Sequence, residues 1–133
     1  MEQVGIKANI EQVEWGVWLD DVYLGRNFEG TVIGITGELS PRDWLGRYES
    51  TAPGNFINFS DSNYDAIYKQ ATSEIDDTKS IDYYKQLQKI LSDDSASVFL
   101  QDTQFLNVLN KKLSGYQAYP LYVQDLSTVY YTE

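Results

Sequence analysis

The chain has 133 residues, 42% hydrophobic and 23% charged, a globular balance with enough chain for one domain and a buried core. Twenty acids against ten bases give a formal charge of −10, and no basic cluster exceeds Lys111-Lys112; this argues against phosphate-reading nucleic-acid binding and against adhesion to an anionic membrane. With neither cysteine nor histidine, disulfides, thiolate catalysis, Cys/His zinc sites and Ser-His-Asp chemistry are excluded.

Residues 6–15 alternate as a half-buried strand would, with Ile6, Ala8 and Ile10 on one face and a phase shift to Val13 and Trp15. A helix is expected from Gly16 to about Arg26, with Val17, Trp18, Leu19, Val22 and Tyr23 apolar, closed near Gly25 and Asn27 by a left-handed residue. Thr31–Thr36 is a β-branched run of the kind found in buried strands, and Gly34 and Gly37 leave room for a close approach to the backbone. Strand, helix, strand over 6–36 reads as a βαβ unit and so as a parallel or mixed sheet with helices on its faces. Ser40 as N-cap and Pro41 at the first helical position start a short helix, Arg42 to about Tyr48, and Ser50–Asn55 is a turn-rich connection.

Two amphipathic helices follow in tandem. The first reads from Ser62, with a capping-box-like Asp65 and an apolar face of Tyr64, Ile67, Tyr68, Ala71 and Ile75. Asp76-Asp77-Thr78 interrupts it and supplies the next N-terminus, where acidic side chains suit the helix dipole. The second carries Ile81, Tyr84, Leu87, Ile90 and Leu91 on one stripe and ends at Ser92-Asp93-Asp94. Val98-Phe99-Leu100 then reads as a short buried strand, and 102–133 as short segments: Phe105–Leu109, a Lys111–Gly115 turn and a tyrosine-rich tail around 119–123.

The series Gly5-Ile6-Lys7-Ala8-Asn9-Ile10, Glu14-Trp15, Phe28-Glu29, Gly37-Glu38-Leu39-Ser40-Pro41, Asn55–Asp65, Asp76-Asp77, Tyr83–Leu91 and Val98-Phe99-Leu100 resembles, in that order, the C-terminal part of the family 5 extracellular solute-binding proteins. These are the peptide- and nickel-binding receptors of bacterial ABC importers. The resemblance implies an α/β fold: a fragment of a lobe of the type II periplasmic-binding-protein kind, with a mixed sheet flanked by helices. Residues 1–133 would be part of the C-terminal lobe, with the tail 116–133 crossing back toward an N-terminal lobe missing here. It implies capture of a peptide or other small solute for an ABC permease, without enzymatic activity, cofactor or metal. The location would be extracellular, at the cell surface or periplasmic, with anchoring through a segment absent from this chain.

In peptide-binding members an acidic residue just after the strand corresponding to 31–36 receives the ligand's α-amino group, and Glu38 occupies that neighbourhood. Relatives carry Asp there after an aromatic-small-Gly run. This chain has Ile35-Thr36-Gly37-Glu38 and one residue fewer before Pro41. The candidate ligand-binding set is Ile35, Thr36, Gly37, Glu38, Leu39, Trp44 and Asn58, placed in or beside the loop at the carboxyl end of a strand, where open α/β sheets bind ligands. The plain alternatives are a solvated or helix-capping Glu38, a core Trp18, and loop-fixing amides at Asn55 and Asn58. The pairs Asp20-Asp21, Asp76-Asp77 and Asp93-Asp94 read as solvated helix-end acids, since neighbours in sequence cannot face each other across a scissile bond. A chain that binds no ligand alone and mainly self-associates, as a homodimer of the fragment, is the competing reading, because unpaired strand edges invite pairing.

Overall fold

A computed structural model describes residues 1–102, 106–119 and 124–132. The molecule is helix-dominated. After a 3₁₀ turn at Glu2–Val4, helix α1 (Trp15–Val17) continues as one π-helical stretch, Trp18–Leu24. Helices α2 (Pro41–Gly46), α3 (Ser62–Ser73) and α4 (Asp77–Asp93) follow, and β1 (Leu113–Ser114) pairs antiparallel with β2 (Tyr130–Tyr131). The expected parallel or mixed sheet is absent among the described residues. Stretches 6–14, 31–36 and 98–100 carry strand-like sequence but lie in irregular backbone, and Ile10 is 95% exposed and Val32 81% exposed. A strand exists only through its ladder partner, and none of these stretches meets one within the described residues. Phe105 and residues 120–123, part of two predicted tail segments, lie outside those residues.

The helices formed where local chemistry demanded them. Ser40 Oγ accepts from the Asp43 amide at 3.2 Å, with Pro41 at the first position. Helix α3 begins at Ser62 as expected, but its cap is Asp61, whose Oδ1 accepts from the Tyr64 amide at 2.7 Å. Asp65, read as half of a capping box, instead accepts from the Ser50 amide at 3.0 Å and ties the preceding loop to α3. Asp76 caps α4 by accepting from the Thr78 and Lys79 amides. At its other end Ser95 takes the left-handed conformation, the Ala96 amide donates to Leu91 O and the Ser95 amide donates to Ser92 O. This is a Schellman closure with serine where glycine is usual.

Helices α3 and α4 pack as an antiparallel hairpin onto α2, and their shared core is Leu45, Tyr48, Tyr64, Ala71, Leu87 and Leu91. Two members of the predicted stripes stay outside. Ile75 lies beyond the last turn of α3, and Ile81, in the first turns of α4, is half-exposed. Tyr64 is fully buried, and its hydroxyl donates to Leu45 O at 2.7 Å, a second bond to a carbonyl at the end of α2 that also accepts from the Tyr48 amide. The Tyr68 hydroxyl donates to Arg42 O at 3.2 Å and lies over Gly46, a position where any side chain would collide with it.

Burial pushes the Tyr64 phenol far above its ordinary value, with Tyr48, Tyr68 and Asp65 adding to the effect, and burial raises Tyr68 as well. Below the unfolded value of 10.0 both states keep the proton, so Tyr64 adds no pH dependence there. Above it the unfolded chain ionises while the folded one does not, so stability falls as pH rises. Urea midpoints measured between pH 8 and pH 11 are expected to be flat at first and then to drop, by up to about 1.4 kcal/mol per pH unit for this group. Tyr64→Phe removes most of that slope.

Candidate functional site

A second cluster sits beside the helical core and is almost wholly aromatic. In the π-helical stretch, hydrogen bonds such as Gly25 N to Asp20 O span five residues rather than four. That wider turn brings residues five apart onto one side, so Trp18 and Tyr23 lie 5.9 Å apart between ring centroids. Trp15 stacks on Trp18 at 5.3 Å with planes 8° apart, and Phe56 meets Trp18 edge-on at 5.7 Å and Tyr23 at 5.2 Å. Trp18 is buried, as read from sequence, and its indole Nε1 donates to Thr31 Oγ1 at 2.9 Å, which pins the 31–36 segment against α1. The helix closes one residue away from expectation: Arg26, not a glycine or asparagine, takes the left-handed conformation.

Between this cluster, the 33–38 segment and the end of α2 lies an open hollow of about 570 Å³. Its walls are Trp15, Trp18, Tyr23, Phe56, Ile33 and Ile35, and its polar border is Thr36, Glu38, Asp43 and Arg47. Apolar walls with a few convergent polar groups are the usual make-up of a small-molecule site.

Of the seven sequence candidates, Ile35, Thr36 and Glu38 border this hollow. The other four do not line it. Gly37 has open space where a side chain would project, Leu39 is exposed, and Trp44 lies outside the lining beneath the Arg47 guanidinium, 4.1 Å from its ring centroid. Asn58 has a positive φ of 57° and accepts from Arg26 at 2.7 Å, a bond that links two loops. Glu38 does not cap α2, the role of Ser40. Its Oε1 instead lies 3.2 Å from Arg47 Nη2, with the two side chains 44% and 18% exposed. Asn55, by contrast, fixes its loop as the plainer reading had it. It is buried, and its amide donates to Glu49 O and Phe59 O and accepts from the Phe59 amide.

No family model matches the chain, and no solved structure matches it. Curated relatives do. It is 33% identical over 95 residues to a di/tripeptide-binding protein of Pseudomonas aeruginosa, covering 68% of this chain and 18% of that protein. It is 27% identical over 122 residues to a dipeptide-binding protein of the same species, covering 89% and 23%, and 30% identical over 81 residues to a probable D,D-dipeptide-binding periplasmic protein of Escherichia coli, covering 61% and 16%. The chain is thus similar, at low identity and over part of its length, to several dipeptide-binding proteins of the family 5 solute-binding kind. It spans less than a quarter of the length of the relatives it matches. All of these are named as binding proteins rather than enzymes. Among the described residues there is no acidic cluster fit to hold a metal and no helix long and apolar enough to cross a membrane.

Several residues at the hollow were not nominated from sequence. Trp15 read as the end of a strand, Trp18 and Tyr23 as apolar helix positions and Phe56 only as part of the Asn55–Asp65 run, and Arg47 carries no sequence mark at all, since its relevance comes from folding back onto Glu38. Phe56 joins the 15–24 helix to the segment that begins at Phe28 through Trp18, Tyr23 and Phe28. Phe56→Ala is expected to cost about 3 kcal/mol in urea denaturation and to release residues 15–24 to fast hydrogen exchange, while α3 and α4 stay protected.

Proposed function

We infer that this chain captures a small peptide as part of the ligand-binding cleft of a two-lobe receptor. The aromatic hollow takes an apolar part of the ligand, and Glu38 receives its α-amino group. The observation that carries this reading is the Glu38 carboxylate at the border of an aromatic-walled hollow, in a chain similar to proteins named for binding di- and tripeptides. Gly34 and Gly37 support it, since open space lies where their side chains would be and extended peptides bind largely through backbone hydrogen bonds. Ile35, Thr36, Gly37 and Leu39 form the strip along which that backbone lies, with Trp44 behind it through its contact with Arg47 and Asn58 holding a separate loop to Arg26. On this reading residues 1–133 belong to the C-terminal lobe of a periplasmic-binding-protein-like receptor. The partners are its N-terminal lobe and an ABC permease, the location is outside the cytoplasmic membrane, and no chemistry is performed on the ligand.

Titration calorimetry with short peptides tests this. Glu38→Gln is expected to weaken binding of a free-amine dipeptide by about 1.5–3 kcal/mol, the range for a hydrogen bond to a charged group, and to leave its N-acetylated counterpart unchanged. Equal affinity of wild type and variant for the free amine removes Glu38 from the site.

A second reading rests on the exposed apolar side chains of the irregular stretches, among them Ile10, Val32, Val98, Phe99 and Leu100. Strand-like, uncovered segments of this kind pair readily with another copy. Multi-angle light scattering is expected to give a concentration-dependent dimer if self-association dominates, and a monomer at all concentrations counts against it.

A further inference from the structure

Glu38 is not alone at the border of the hollow. Arg47 Nη2 donates to Glu38 Oε1 at 3.2 Å, Arg47 Nε donates to Trp44 O at 3.2 Å, and the guanidinium lies 4.1 Å from the Trp44 ring centroid. The cation is thus clamped by a carbonyl and an aromatic face at the end of α2, with its side chain mostly buried, while Glu38 is the more exposed partner. Among the described residues only Nε and Nη2 of its donors meet protein acceptors, and Glu38 Oε2 accepts from no protein donor. Each member of the pair therefore keeps hydrogen-bonding capacity at a hollow that both of them line.

We propose that Arg47 is a specificity-determining residue of this site. It binds the acceptor oxygen that stands next to the ligand's amine, while Glu38 binds the amine and the hollow takes the side chain of that same residue. The inference rests on the peptide-capture reading above. Its geometry follows from bond lengths: the amine nitrogen and carbonyl oxygen of one amino-acid residue are about 3 Å apart, and the carboxylate and guanidinium that would meet them are neighbours, bonded to each other through Glu38 Oε1 and Arg47 Nη2. An ammonium–carbonyl pair laid beside that ion pair meets the carboxylate with its amine and the guanidinium with its oxygen, which uses the remaining capacity of each. The ligand class is then a free-amine residue with an aromatic or large aliphatic side chain, followed by a carbonyl or ending in a carboxylate. Arg suits this better than Lys because its planar fork holds Trp44 and the ligand oxygen together.

Calorimetry on the purified protein with three probes decides it: phenylalanyl-alanine, phenylalanine and phenethylamine. The last keeps amine and ring but lacks the acceptor oxygen. Wild type is expected to bind phenylalanyl-alanine at least tenfold more tightly than phenethylamine, and Arg47→Met to abolish that preference by weakening the dipeptide alone. The phenylalanine arm tells whether a carboxylate serves in place of the carbonyl. If Arg47 only neutralises Glu38, Arg47→Met strengthens binding of both amines, and the proposal is overturned. Equal affinity of wild type for dipeptide and phenethylamine overturns it without any variant, so a misfolded Arg47→Met does not rescue it. Dipeptide binding that Glu38→Gln weakens and Arg47→Met does not defeats this inference and leaves peptide capture standing. No binding of any probe defeats both.

Discussion

One buried amide joins the two halves of this molecule. Asn55 spends both its donors and its acceptor on the backbone of Glu49 and Phe59, and so closes the 49–59 loop into a rigid corner. On one side of the corner Phe56 enters the aromatic cluster against Trp18 and Tyr23, and on the other Phe59 packs edge-on against Tyr48 and Tyr64 in the helical core. A buried amide left unpaired costs far more than its bonds contribute, so the loop has one stable arrangement. The position of the hollow relative to the α3–α4 hairpin follows from it.

The helical core is the anchor in this arrangement and the aromatic cluster the dependent part. Helices α2, α3 and α4 are each capped by their own side chains and share a closed set of buried residues. The aromatic cluster has no such closed set. It consists of ring contacts among residues from three segments, backed by the bond from Trp18 to Thr31 and the link from Arg26 to Asn58. Segments held by few contacts open more readily than a packed core, and the loop carrying Glu38 is one of them. The charge at the site is similarly local. Glu38 and Arg47 neutralise each other, and Asp43 beside them leaves the hollow's border with one negative charge, the sign of the chain's net −10.

The helices could be read from sequence because their determinants lie within a few residues: Ser40-Pro41, the Asp76-Asp77 break and the stripe through Leu87 and Leu91 all act within a turn or two. Asp61 was missed as a cap because Ser62 beside it is an equally good capping residue, and only the backbone says which is extended. The strands were misread for the opposite reason. Alternation at 6–15 and the β-branched run at 31–36 report a tendency to lie in a sheet, yet a ladder needs a partner, and the described residues supply one only between Leu113–Ser114 and Tyr130–Tyr131. Glu38 was nominated through a family resemblance together with its place in the loop, and it borders the hollow. Arg47 was not, because nothing in a nine-residue spacing announces an ion pair.

The sequence by itself determined where α2, α3 and α4 lie to within a residue or two, that no thiol or imidazole chemistry is available, and that an acid follows the Ile35-Thr36-Gly37 run. Those properties belong to single residues or to hydrogen bonds closed within one turn. Tertiary structure alone decided that a π-helical turn sets Tyr23 beside Trp18, that Arg47 reaches back to Glu38, and that Phe56 floors an open hollow. The last two join groups whose encounter depends on how separate segments pack, and the packing energy of rings and the pairing of charges exist only once the chain has brought them within a few ångströms.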